Sequence, residues 1–206
     1  MKFPARNYGD AGDFCAGYLE ALSSAAGKID ASRMEQAATL LADVFAAGRT
    51  LYVCGNGGSA AISNHLLCDF AKGIQTDTAL RPRVVSLSSH VELITAIGND
   101  IEFAEIFVYQ LRTAARPGDA LMTVSSSGDS ENIVRAVTWA ARNDIQTIAM
   151  TGFDGGRSAG LARLNLHVPA RNYGVVEDLH QSMMHILAQF IRMRFMDPGL
   201  IAARSF

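Results

Sequence analysis

From residue 50 onward the sequence alternates short apolar runs with stretches of helical period, and this restricts the fold more than any other feature. The runs cover residues 50–54, 83–87, 120–125, 146–151 and 164–168. Helical stretches lie between and after them, near residues 59–72, 91–97, 102–114, 130–142 and 176–193. Strands alternating with helices predict a parallel sheet covered on both faces. The expectation is therefore an α/β, three-layer sandwich with a five-stranded parallel sheet flanked by helices. Two further helices precede it, over residues 11–26 and 31–47. Phe14, Tyr18, Leu19 and Leu22 keep the helical period in the first. Met34, Ala37, Leu40, Leu41, Val44 and Phe45 keep it in the second, with Asp30 or Ser32 as N-cap. These two helices are too short to stand alone. Residues 1–206 read as one domain, with 1–48 a helical extension packing on the sheet or on a neighbouring subunit.

Composition narrows the partners. Charged residues are 18% of the 206-residue chain and apolar ones 49%, below the usual charged share of ~25%. A chain this poor in charge is expected to cover apolar surface against copies of itself. Net charge is −2 with no basic block, which argues against nucleic acid and anionic membranes as partners. No apolar run reaches the ~18 residues of a membrane-spanning helix. Residues 1–10 lack a signal peptide's apolar stretch. Cys15, Cys54 and Cys68 are odd in number and irregularly spaced, so they read as free thiols in the reducing cytoplasm.

Two strand-to-helix turns carry chemistry. Cys54-Gly55-Asn56-Gly57-Gly58-Ser59 follows the first strand. Its glycines let backbone amides approach an anion, and the next helix adds positive partial charge. The spacing is neither a dinucleotide fingerprint nor a P-loop. Ser125-Ser126-Ser127-Gly128-Asp129-Ser130 follows the third strand. Successive hydroxyls there form a neutral cradle suited to a phosphate monoester that must be released again. Asp129 competes with Ser130 for the N-cap. Each turn alone also fits an ordinary capped turn; two on one sheet point to a phosphorylated small molecule.

A third group could move protons or hold metal. His65 and Asp69 are four apart and share a helical face. Glu177, Asp178, His180 and His185 lie on the last helix. The acids there also suit a helix dipole, and His185, in the apolar stretch Met183-Met184-His185-Ile186-Leu187, also fits a core histidine. Glu177 and His185 are eight residues apart, about 12 Å along a helix. One histidine and one carboxylate from each helix would suit Zn²⁺ or a similar ion, but the spacing does not establish a metal site.

Together these residues resemble the SIS (sugar isomerase) family and, within it, the phosphoheptose isomerases. The resemblance spans nearly the whole chain. It rests on Gly55-Asn56-Gly57-Gly58-Ser59, Gly98-Asn99-Asp100, the Ser125–Ser130 cluster, Thr151-Gly152-Phe153-Asp154-Gly155-Gly156 and Met184-His185-Ile186-Leu187. It implies the SIS fold, a homotetramer with active sites between subunits, and conversion of sedoheptulose 7-phosphate to a heptose 7-phosphate for bacterial surface polysaccharide. By position it implies that Asn56, Gly57, Gly58, Ser59, Asn99, Asp100 and Glu177 contact substrate. Ser125, Ser126, Ser127 and Ser130 fall on phosphate-holding positions. His65 falls on a zinc-ligand position, Asp69 on that of a ligand and base, and His185 on that of a ligand and proton-transfer residue. Glu177, an acid on the same helix as His185, is a further candidate metal ligand and the alternative base.

Two residues depart from the pattern. Asp69 stands where the family has glutamate, and Glu177 where it has glutamine. A base misplaced by ~1 Å can cost about 10²-fold in rate. The extra charge of Glu177 would attract a cation and raise a neighbouring carboxylate's pKa. These departures keep another sugar phosphate open as substrate. A non-catalytic regulator that binds a phosphosugar or a protein is the alternative from another class. Retention of His65, an acid at 69 and His185 favours the enzyme.

Overall fold

The computed structural model describes residues 2–206. Five parallel strands form one sheet in the order β2-β1-β3-β4-β5. They are β1 Thr50–Gly55, β2 Arg83–Ser86, β3 Ala120–Ser125, β4 Gln146–Thr151 and β5 Leu164–His167. Register is continuous across the centre, with Leu51 opposite Ala120 and Gly55 opposite Val124. Every residue of β1 and β3 is buried, as a strand covered on both faces requires. Alternation then sorts side chains into two apolar layers. Leu51, Val53, Met122 and Val124 face one core, while Tyr52, Cys54 and Leu121 face the other.

The first layer is closed by α1 Ala11–Ala26, α2 Ala31–Ala46, α3 Gly58–Cys68 and the long α8 Tyr173–Phe195 near the end of the chain. The second is closed by α4 Val91–Asp100, α5 Val108–Ala114 and α6 Glu131–Arg142. A short α7, Gly156–Leu161, follows β4. The N-terminal helices share the first core. Ala21, Ala25, Ala37 and Leu41 are buried there beside Leu179 and Met183 of α8, and the Tyr18 hydroxyl donates to Asp178 at 2.6 Å. Asp30 caps α2 by accepting from the backbone N–H groups of Ser32 and Arg33.

Several expected boundaries differ. The helix expected over residues 59–72 stops at Cys68 and continues as a π turn, Asp69–Ile74. The one expected over 102–114 is a 3₁₀ turn, Phe103–Glu105, followed by α5. The last helix starts three residues early, because Asn172 accepts from the Val175 N–H and caps it. Ser130, not Asp129, is the N-cap position of α6. Asp129 instead pairs with Arg157 at 2.5 Å, since an ion pair with a facing guanidinium outcompetes one backbone N–H.

Candidate active site

In an open parallel sheet, ligands bind beyond the carboxyl ends of the strands where the strand order reverses. Here that point lies between β1 and β3, because β2 lies on one side of β1 and β3 on the other. Both chemistry-bearing turns leave these two strands. Asn56, Ser59, Ser125, Ser126, Ser127 and Ser130, with Tyr173 and Glu177, line one recess of about 130 Å³. The glycine turn and the serine turn therefore face each other.

Local bonding explains the shape. Gly57 takes φ +53° where the chain turns into α3, a conformation that costs glycine little. A Cβ on Gly58 would run into the Glu177 carboxylate, so this glycine gives the acid its place over the start of α3. Asn56 exchanges two amide hydrogen bonds with Asn132, at 3.0 and 2.9 Å, which ties one turn to the helix that follows the other. The Ser88 hydroxyl donates to the Gly55 carbonyl and accepts from its N–H. Behind the serine turn, Gly152 N–H donates to the Ser126 carbonyl and Ser158 Oγ to the Gly128 carbonyl. Asn132, Ser88, Ser158 and Tyr173 carry no motif, and sequence reasoning missed them.

A guanidinium offsets part of the negative charge beside the serine turn. Arg157 holds Asp129 and also Glu131, at 2.9 Å, and lowers both carboxyl pKa values through those bonds. The buried Ser126 Oγ has no hydrogen-bond partner among the described residues. A buried hydroxyl without a partner is costly, and a bound oxyanion would supply one.

The acid–imidazole group lies further along the same two helices. His185 Nδ1 is 2.8 Å from Asp69 Oδ2, and His65 Nε2 is 3.3 Å from Asp69 Oδ1. The π turn begins at Asp69; such turns recur at functional sites. Gln181, not singled out from the sequence, places its amide nitrogen 3.2 Å from His65 Nδ1 and 2.9 Å from His185 Nε2. Ligand atoms of His65, Asp69 and His185 lie within 4.8 Å of one another. Two imidazole nitrogens and a carboxylate oxygen are a donor set that fits Zn²⁺.

Glu177 is not part of that trio; it stands two turns earlier, against Gly58. Burial raises its carboxyl pKa, and Asp178 adds to the effect. Asn99 and Asp100 end α4 exposed, bonded to each other at 2.8 Å, and do not line the recess. His180 is sealed in the core and its ring nitrogens lack partners of normal geometry. Burial lowers its pKa to about 4, against a weaker opposing pull from the Thr151 backbone. A larger recess of about 610 Å³ opens at the other end of the sheet, between α2 and the strand starts, away from all these groups.

A family model described as SIS domain matches residues 14–152. The phosphoheptose isomerase of Colwellia psychrerythraea is 33% identical over 170 residues, covering 81% of this chain and 86% of that protein. The phosphoheptose isomerase of Nitratidesulfovibrio vulgaris strain Miyazaki F is 36% identical over 160 residues, covering 78% and 76%. The solved phosphoheptose isomerase of Neisseria gonorrhoeae superposes with a TM-score of 0.78 at 32% identity, covering 86% of this chain and 95% of that one. A five-stranded parallel sheet with its glycine and serine turns at the switch point, matched over this length, establishes that the chain belongs to the SIS-domain family, with the phosphoheptose isomerases as its relatives.

Proposed function

We propose that this chain is a sugar-phosphate isomerase that converts sedoheptulose 7-phosphate to D-glycero-D-manno-heptose 7-phosphate, feeding heptose into bacterial surface polysaccharide. The observation that carries the reading is the single recess shared by Asn56 and Ser59 of the glycine turn, the serine turn and Glu177. Neutral hydroxyls and amides there suit a phosphate, with a desolvated carboxylate beside them.

A ketose becomes an aldose when C1 loses a proton, C2 gains one and a hydroxyl proton moves from O1 to O2. No external oxidant is needed. Glu177 is the better placed of the two candidate bases, because it lines the recess and its raised pKa brings proton affinity closer to neutrality. Asp69 is engaged by both imidazoles. His185 relays the proton between the oxygens. The amides of residues 56–59 and the start of α3 stabilise the enediolate's negative charge. Ser125, Ser126, Ser127 and Ser130 hold the phosphate. Asn99 and Asp100 would contact the sugar from a neighbouring subunit.

His65, Asp69 and His185 would hold a divalent ion, zinc by donor type. When bound it supplies Lewis-acid polarisation of the sugar oxygens. Glu177 would become a fourth ligand only by leaving Gly58. A homotetramer fits the exposed apolar side chains Phe14, Leu19, Tyr173 and Ile186. Three free cysteines suit a cytoplasmic protein. No helix of the described residues is long and apolar enough to cross a membrane.

NMR of the purified protein with sedoheptulose 7-phosphate in D₂O tests the reading. Product should appear with deuterium at C2, and Asp69→Asn and His185→Ala should each lose most activity. Absence of product with and without zinc, or full activity in both variants, refutes it.

A further inference from the structure

Gln181 has no role in the resemblance, yet it closes a ring of four side chains. Its Nε2 is 3.2 Å from His65 Nδ1 and 2.9 Å from His185 Nε2. On the far side, His65 Nε2 and His185 Nδ1 stand 3.3 and 2.8 Å from the two oxygens of Asp69. With the amide nitrogen so placed, the neutral ring has one consistent proton assignment. The NH₂ group donates twice, so both nitrogens facing it accept. Each imidazole then carries its own proton on the nitrogen facing Asp69, and the carboxylate accepts both.

A cation on the Asp69 side reverses these demands. His65 Nε2 and His185 Nδ1 must then offer lone pairs. The single proton of each neutral imidazole moves to the nitrogen facing Gln181. Two N–H donors now face the amide, and an NH₂ group would oppose them. A carbonyl oxygen has two lone pairs and accepts both. A half-turn about the last side-chain bond exchanges the nitrogen for the oxygen with little movement of heavy atoms.

We propose that Gln181 is a positioning residue whose amide flip matches the His65 and His185 tautomers to the absence or presence of a divalent ion. The proposal rests on the reading of His65, Asp69 and His185 as an ion site. The side chain suits the task because it carries two donors on one atom and two lone pairs on the other. A carboxylate would serve only the loaded state, and leucine neither. Ligating histidines depend on an outer acceptor for their second N–H, and losing one costs about 10–100-fold in metal affinity.

The test uses the full chain labelled with ¹⁵N at histidine. Long-range ¹H–¹⁵N spectra should show His65 protonated at Nε2 and His185 at Nδ1 without metal, and both exchanged at saturating Zn²⁺. In competition with a chromophoric chelator, Gln181→Leu should bind Zn²⁺ about 10–100-fold more weakly. Gln181→Glu should match or exceed the wild type. Fixed tautomers on zinc loading, or wild-type affinity in Gln181→Leu, overturns the flip alone. If the wild type takes up no zinc, the ion site fails and the flip falls with it. The wild-type spectra decide the matter even if a variant does not fold.

Discussion

The recess and the acid–imidazole ring are built in opposite ways. The recess comes from turns that leave two neighbouring strands, and most of its groups are neutral amides and hydroxyls. The ring is made wholly of side chains on α3, its π turn and α8. A strand-end turn has its direction fixed by the sheet ladder, so its amides are placed before any ligand arrives. A ring carried by two helices depends on how those helices pack. Phosphate gripping should therefore tolerate changes in helix packing that would disable proton handling. Glu177 joins the two regions: it belongs to α8 yet faces the glycine turn.

Glu177→Gln breaks the comparison most sharply. It keeps the shape and removes the base, so kcat should fall by about 10²–10⁴-fold with KM little changed. The pH profile carries the same sign. A carboxyl whose folded pKa is raised loses its base function as pH falls through that raised value, so the acid limb of kcat/KM should lie above the ordinary carboxylate range. The same shift makes its effect on stability unfavourable above its ordinary pKa, so Glu177→Gln should melt no lower than wild type at neutral pH. An unchanged kcat would move the base to Asp69.

Gly58→Ala is next. The new methyl collides with the Glu177 carboxylate and displaces it, so kcat should drop by about 10²-fold for a shift of ~1 Å. Phosphate inhibition should stay near the wild-type value, since the serine turn is untouched. If phosphate binding were lost as well, the two regions would not be separable.

Ser126→Ala tests the neutral cradle from the other side. Removing a hydrogen bond to a charged group costs about 1.5–3 kcal/mol, so KM should rise by roughly 10–100-fold while kcat holds. Because Ser126 Oγ has no partner without ligand, the variant should be as stable as wild type or more so in thermal melts. A change in kcat alone would assign this serine to the chemistry.

The smallest effect concerns two histidines five residues apart on α8. His185 sits in the polar ring, whereas His180 is sealed with a pKa lowered to about 4. A lowered folded value means the unfolded chain binds more protons between pH ~4 and ~6.5. Stability should therefore fall as pH drops through that window. His180→Leu should flatten this fall in Tm-versus-pH measurements by a few degrees, leaving turnover at neutral pH unchanged. An equally steep fall would assign it to another group.

Much of this was readable along the chain. Alternating apolar runs predicted five parallel strands, and the two turns after β1 and β3 pointed to a phosphorylated small molecule. His65 and Asp69 share a helical face because i and i+4 do so in any α-helix. The π turn at Asp69 was not readable, because a single extra residue in a turn leaves no periodic trace. Asn132, Ser88 and Tyr173 were missed because their roles depend on elements distant in sequence. Local rules left Asp129 and Ser130 competing for one cap, and the choice fell to Arg157, 28 residues on, which holds the Asp129 carboxylate.

The sequence by itself determined the local periods: which segments are strands, which are helices, and which turns carry glycine or hydroxyl donors. Local sterics and hydrophobic alternation set those, and they act within a few residues. The tertiary structure alone decided that Gln181 stands between two imidazoles. It also decided that Glu177 faces the recess. These outcomes turn on the rotation and depth of α8 against α3, which many long-range contacts fix together and no short stretch of chain encodes.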